Sequence, residues 1–314
     1  MIATIRKKKA PASRAIIAAP PLTNPDKVLY PSIGFLKRQV VEYYEFIAPC
    51  MLPHLRERPV SLKRLPDGVT GFSFFEKRAP QKRPAWVDTA TVSSTQHGSL
   101  TYVVINNRET LLWLANRAAL EIHPFLFRAQ HEEQPDVLVF DFDPGAPAGL
   151  AACLPLALEI RAMLTDLGLR SFVKSSGGKG LHLLVPLAGT ATFAQTKDFA
   201  HAVALALEKR QPRAVTASMA KAARGGKVFI DWSQNDHGKT TVAAYSLRAR
   251  ERPTVSAPLT WDEVELAKRS GKVERLMFEA DDMRRRVAAE GDLLADAIGL
   301  RQHLPAFTSP SRNS

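Results

Sequence analysis

The stretch VLVFDFDPG carries Asp141 and Asp143 two positions apart on what reads as one apolar strand. Period-two geometry turns both carboxylates to the same face and Phe142 to the other. Two carboxylates side by side at the end of an apolar strand repel each other and lose solvation, and a divalent cation offsets both costs. Asp231 ends a second apolar run, KVFIDW. Three carboxylates on neighbouring strands can hold two Mg2+ or Mn2+ ions about 3.5–4 Å apart, the clamp used for phosphoryl and nucleotidyl transfer. A plainer arrangement is also open, with Asp143 capping the Pro144-Gly145 turn and Asp141 paired with an arginine.

The segment KSSGGKGLH, residues 174–182, lies between two predicted strands. Ser176, free backbone N–H groups, Lys179 and His182 together suit a triphosphate. The segment is neither a Walker A loop, because Val173 and Gly180 stand where Gly and Ser or Thr are needed, nor a dinucleotide fingerprint, because Leu183 replaces the last Gly. A tight turn with a solvated lysine is the simpler alternative. YSLRAR puts Arg248 and Arg250 on one face after an apolar run, and a guanidinium matches phosphate oxygens bidentately. The stretch SLKRLPDGVTGFSFFEKR interleaves cations with Phe72, Phe74 and Phe75. Alternation sends Phe72 and Phe74 to the core. Only one of Phe74 and Phe75 can face inward, so the other is a candidate platform for a base. His123 follows a predicted helix and precedes Pro124; taken alone it reads as a satisfied core residue.

These groups need a scaffold. At 314 residues and 45% hydrophobic composition, the chain can form a full core, and disorder as the main state is excluded. No apolar run approaches the roughly 20 residues of a membrane helix, which excludes an integral helical membrane protein. Two cysteines, Cys50 and Cys153, exclude a disulfide scaffold and fit a reducing cytoplasm. The net charge of +12 favours a polyanionic partner, nucleic acid first. Residues 1–21 read as a flexible basic arm without a signal peptide's apolar region, and 301–314 as a loose tail. Helices are expected at 35–55 (closed by Pro53), 108–120, 148–167 and 192–210, with further charged helices in a C-terminal part over about 260–300. Strands are expected at 59–64 and 72–77, paired as a hairpin, and at 101–106, 137–143, 171–175, 181–185, 227–232 and 241–246. The order implies an α+β fold with a mixed or antiparallel central sheet flanked by helices.

The ordered blocks LTNPDKVLYP, RPVSLKR, GFSFFEKRAP, ALEIHPFLFR, VFDFDPG, SSGGKGLH, KVFIDWSQN and AAYSLRAR resemble the polymerase domain of bacterial ligase D proteins, within the archaeo-eukaryotic primase superfamily. The resemblance runs from residue 22 to about 260 and implies a primase-polymerase fold over 22–300. It implies that Asp141, Asp143 and Asp231 are the catalytic metal ligands for two Mn2+ or Mg2+ ions. Ser176, Lys179, His182 and Arg248 would grip the triphosphate, and Lys63, His123 and Gln234 would complete the nucleotide pocket. Lys27 and Lys37 match lysines that hold a downstream 5′-phosphate, and Phe74 and Phe75 match phenylalanines that stack on the template. The implied activity is DNA-dependent nucleotidyl transfer at gaps or ends, with NTPs preferred over dNTPs. Gapped or broken DNA, Ku and a separate DNA ligase are the implied partners, in the nucleoid-associated cytoplasm.

The ligase motif Lys-x-Asp-Gly is absent, since Leu65 precedes Pro66-Asp67-Gly68. The starting Met and the basic arm favour a stand-alone polymerase over a segment of a longer ligase D. The same residues would serve a de novo primase. A DNA-end-binding module without catalysis is disfavoured by the intact aspartates, and a metal-dependent phosphohydrolase by Lys179 and Arg248.

Overall fold

A computed structural model of the chain describes residues 21–94 and 98–306. In chain order the elements are β1 (Val28–Tyr30), β2 (Phe35–Leu36), α1 (Lys37–Leu55), β3 (Pro59–Arg64), β4 (Phe74–Glu76), β5 (Thr89–Ser94), β6 (Gly98–Val104), α2 (Arg108–Asn116), β7 (Ala119–Pro124), β8 (Val137–Pro144), α3 (Leu150–Asp166), β9 (Phe172–Ser175), β10 (Leu181–Pro186), α4 (Phe193–Arg210), β11 (Val215–Thr216), β12 (Val228–Asp231), β13 (Pro258–Leu259), α5 (Trp261–Ser270) and α6 (Ala280–Glu290). Most of the predicted basic arm, residues 1–20, and residues 307–314 of the predicted tail lie outside the described residues. Gln302 donates to the carbonyls of Arg170 and Pro186, at 2.9 and 3.0 Å.

A six-stranded sheet runs in the order β11-β12-β8-β10-β9-β13. All its pairings are antiparallel except β11 with β12. The alternation in β8 decides its two faces. Leu138, Phe140 and Phe142 are fully buried against Leu154 and Ile160 of α3 and Phe199 and Val203 of α4. Each such side chain stabilises the fold by about 1.5–3 kcal/mol. Asp141 and Asp143 therefore belong to the opposite face. Asn235 clips β8 to the chain after β12, accepting from the Val139 N–H at 2.9 Å and donating to the Val139 carbonyl at 2.7 Å.

A second, antiparallel sheet has the order β4-β3-β6-β5, with β7 also paired to β3. It packs on α1 and α2 through Val40, Tyr44, Ile47, Leu111 and Leu114. β1 and β2 form a separate two-stranded ribbon. The expected α+β fold with a mixed sheet and flanking helices is what the chain forms.

Several local expectations are corrected. α1 runs past Pro53 to Leu55, and Arg56 N–H still closes on the Leu52 carbonyl at 3.0 Å. The predicted helix over 108–120 stops at Asn116. Ala118 takes φ 57°, and residues 119–124 pair with β3 instead, so strand pairing overrides the helical preference of an Ala- and Leu-rich stretch. Residues 241–246 form no regular strand. Tyr245 takes φ 67°, and the segment bonds by single contacts, Ala243 N–H to Ile122 O and Tyr245 N–H to Ser256 O, both 2.8 Å. β5, with its polar sequence TATVSS, and the two-residue β13 carry too little apolar pattern to be read in advance.

Candidate active site

The register of the large sheet brings the predicted acidic residues together. Asp231 on β12 pairs directly with Asp141 on β8, and Phe229 with Asp143. On the other flank of β8, His182 of β10 pairs with Asp141, and its Nε2 is 3.3 Å from Asp141 Oδ1. Burial, then the charges of Asp231 and Asp143, push the Asp141 carboxyl up to about 7. Asp143 is 61% exposed and lies 3.6 Å from Arg224 Nη1. Part of the plainer arrangement is therefore present, on Asp143 rather than Asp141. Asp231 accepts from the Ser233 N–H and hydroxyl at 3.0 and 2.6 Å and from Gln234 Nε2 at 3.2 Å.

Behind His182 lies Lys174, which sequence reasoning did not single out. It is 1% exposed. Its ammonium donates to Ser256 Oγ at 2.6 Å and meets His182 Nδ1 at 3.0 Å. Burial lowers both the Lys174 and His182 pKa values well below their ordinary ranges.

The glycine loop closes over the same end of the sheet. Ser176 Oγ accepts from the N–H groups of Gly178 and Gly180, both at 3.2 Å. Arg248 Nη1 donates to the Ser176 carbonyl. Two glycines are demanded by close approach. Gly177 has φ +67°, and a Cβ there would meet Arg248 Cγ at 2.7 Å; a Cβ at Gly180 would meet the Phe142 carbonyl oxygen at 1.9 Å. Lys179 is exposed at the loop tip.

Lys63 on β3 faces Glu121 on β7, and His123 lies two residues further along β7. His123 Nε2 is 2.9 Å from Glu121 Oε2, and Arg248 Nε is 3.3 Å from that same oxygen. Glu121 was missed because its segment reads as the end of a helix. Phe75 is 53% exposed and meets His123 edge-on at 5.5 Å. Phe74 is half-buried, stacked on Phe72 at 5.7 Å. Phe72 is 71% exposed, which corrects its expected place in the core: β4 begins only at Phe74, so the strand alternation does not reach it.

Lys27 and Lys37 come together through the β1–β2 ribbon, where Lys37 N–H donates to the Lys27 carbonyl at 2.8 Å. Lys27 Nζ pairs with Asp67 at 2.8 Å. Lys37 Nζ donates to the Thr23 carbonyl and hydroxyl at 2.6 and 3.0 Å. Burial, then the charge of Lys27, lowers the Lys37 pKa.

Among the described residues, Glu132, Glu133 and His237 form a group whose ligand atoms lie within 4.8 Å of one another. This is a possible acidic metal-binding group, and it contains none of the predicted aspartates. No helix among the described residues is long and apolar enough to cross a membrane.

The fold that positions these groups is shared with a solved structure. The polymerase domain of Mycobacterium tuberculosis ligase D in complex with DNA matches with a TM-score of 0.83 and 39% identity, over 90% of this chain and 99% of that one. The family model for the LigD primase-polymerase domain matches residues 36–294, and the chain belongs to this family. It is 45% identical over 276 residues to the multifunctional non-homologous end joining protein LigD of Mycolicibacterium smegmatis, covering 87% of this chain and 35% of the relative. The LigD of Pseudomonas aeruginosa is 36% identical over 304 residues, covering 96% and 35%. The chain thus spans about a third of the length of these relatives. The resemblance read from the ordered motifs is borne out.

Proposed function

We propose that this chain is a DNA-dependent nucleotidyltransferase that fills gaps or extends ends in double-strand-break repair. The 3′-hydroxyl of a primer would attack the α-phosphate of a nucleoside triphosphate, and pyrophosphate would leave. The observation that carries this reading is the direct opposition of Asp141 and Asp231 beside His182, under a glycine loop bonded to Arg248. The relatives' names, which tie them to non-homologous end joining, support the repair setting.

Asp141, Asp143 and Asp231 would hold two Mn2+ or Mg2+ ions. The donor set suits hard divalent cations, because all three are carboxylates and the charges of Asp231 and Asp143 already oppose ionisation of Asp141. When bound, the ions would supply Lewis-acid stabilisation of the charge that develops in the transfer. Ser233 and Gln234 orient Asp231, and Gln234 completes the nucleotide pocket. Ser176, Lys179, His182 and Arg248 bind the triphosphate as hydrogen-bond donors, and Lys63 and His123 help complete the nucleotide pocket. Phe74 and Phe75 stack on the template. Lys27 and Lys37 receive a downstream 5′-phosphate, which would replace Asp67 as the partner of Lys27.

Residues 22–300 are the proposed catalytic unit. Its substrates are NTPs in preference to dNTPs on gapped or broken DNA, and Ku and a separate DNA ligase are its partners at the nucleoid. The preference follows if the pocket hydrogen-bonds the 2′-hydroxyl, since a deoxy substrate leaves those groups unpaired. Extension of a primer across a gapped duplex, with each NTP and dNTP and with Mn2+ and Mg2+ compared, tests the reading. Template-directed addition with higher efficiency for NTPs is expected. Equal or higher efficiency with dNTPs rejects the preference. Dinucleotide synthesis without any 3′-hydroxyl would favour de novo priming instead.

A further inference from the structure

Glu121 is 2% exposed at the middle of β7. Its Oε1 accepts from the Ala249 N–H at 2.9 Å and lies 3.8 Å from Lys63 Nζ. Its Oε2 is 2.9 Å from His123 Nε2 and 3.3 Å from Arg248 Nε. One carboxylate thus meets groups from β3, from its own strand and from the 248–249 segment. A carboxylate is retained in such a position only when donors surround it, and removing it strands the cations it faces.

We infer that Glu121 is the positioning residue of the nucleotide pocket, fixing the tautomer of His123 and the aim of the Arg248 side chain. The inference rests on the nucleotide-pocket reading of His123 and Arg248 given above. An ionised carboxylate can only accept hydrogen bonds. His123 must then carry its proton on Nε2 and present Nδ1 as an acceptor. Burial raises the Glu121 pKa, but the His123 hydrogen bond and the Arg248 charge outweigh it and hold the carboxyl at about 2. Burial lowers the His123 pKa despite the neighbouring carboxylate, so the ring stays neutral at pH 7. The ring is then set edge-on to Phe75. On the other side, Arg248 spans from Glu121 to the Ser176 carbonyl, so its guanidinium is fixed between β7 and the glycine loop before any ligand arrives. A preset cation lowers the ordering cost of binding a triphosphate.

Gap-filling kinetics of Glu121→Gln against wild type test the inference. Incorporation by the wild type scores the polymerase reading, and the ratio between the two proteins scores Glu121. The KM for NTP is expected to rise roughly tenfold or more, from the strength of hydrogen bonds to charged groups. The kcat should stay within about threefold, and the Kd for gapped DNA should not change. An unchanged KM, or equal losses in KM, kcat and DNA affinity, would overturn the inference. A second measurement needs no change at Glu121. The 15N spectrum of histidine-labelled wild type, with His123 assigned by its loss in His123→Gln, should show a neutral ring protonated on Nε2 near pH 7. A ring protonated on Nδ1 would overturn the inference whatever the fate of the Gln variant.

Discussion

Asp141 and Asp231 face each other directly across the β8–β12 pairing. Burial comes first, and the opposed charge of Asp231 adds to it, in raising the Asp141 pKa. His182 Nε2 lies 3.3 Å from Asp141 and Arg224 Nη1 3.6 Å from Asp143, and the charges of Lys174 and Arg248 offset part of the Asp141 shift.

A pH signature follows. The Asp141 pKa is raised to about 7 by burial and then by Asp231 and Asp143, so the folded state holds this proton to higher pH than the unfolded chain does. Ionising Asp141 therefore weakens the fold progressively as pH rises from about 4 through about 7, and the penalty persists above that. In chelator, Asp141→Asn should melt above wild type at pH 8, by an amount corresponding to at most about 2–4 kcal/mol. The gap should narrow as pH falls toward 5. Added Mn2+ should raise the Tm of wild type more than that of the variant. A variant that melts below wild type at pH 8 would contradict this.

The glycine loop gives a steric prediction. Gly180→Ala drives a Cβ onto the Phe142 carbonyl, and Gly177→Ala combines a positive φ with contact on Arg248. Each should cost about 1–3 kcal/mol of stability and raise the KM for NTP, read by thermal melts and extension kinetics. Wild-type values for both variants would mean the loop is loosely held.

Much of this site was legible because its signals are local. Asp141 and Asp143 share a face by strand period alone, and Asp231 ends an apolar run of the same kind. Lys174 was not legible because Ser256, from a distant segment, holds it; Glu121 was hidden in what reads as a helix end, and of its partners Ala249 and Arg248 lie far along the chain. β7 was hidden by a helical composition that pairing with β3 overrides. Residues 241–246 misled for the opposite reason: their apolar run is strand-like, but Tyr245 turns out of the ladder with a positive φ.

The lysine pair makes a prediction about DNA ends. Lys27 and Lys37 are adjacent through one backbone hydrogen bond, and two ammonium groups meeting a dianion should favour a 5′-phosphate over a 5′-hydroxyl. Each lysine should contribute on the order of 1–2 kcal/mol. The double variant Lys27→Ala, Lys37→Ala should erase this preference while leaving binding to an open primer-template largely unchanged. Binding titrations at two salt concentrations read the difference. Uniform weakening on all substrates, with a reduced salt slope, would assign the lysines to general backbone attraction.

On the proposed reading, the three aspartates carry the chemistry while lysines and arginines carry the DNA. Primer extension and gapped-DNA binding measured side by side for Asp141→Ala and Asp231→Ala separate these two roles. Extension should fall to no more than a few per cent of wild type with DNA affinity nearly intact, if the carboxylates act in the transition state and DNA is held mainly through phosphate contacts. Extension by Asp141→Ala above that level, in protein shown to be folded, would contradict it.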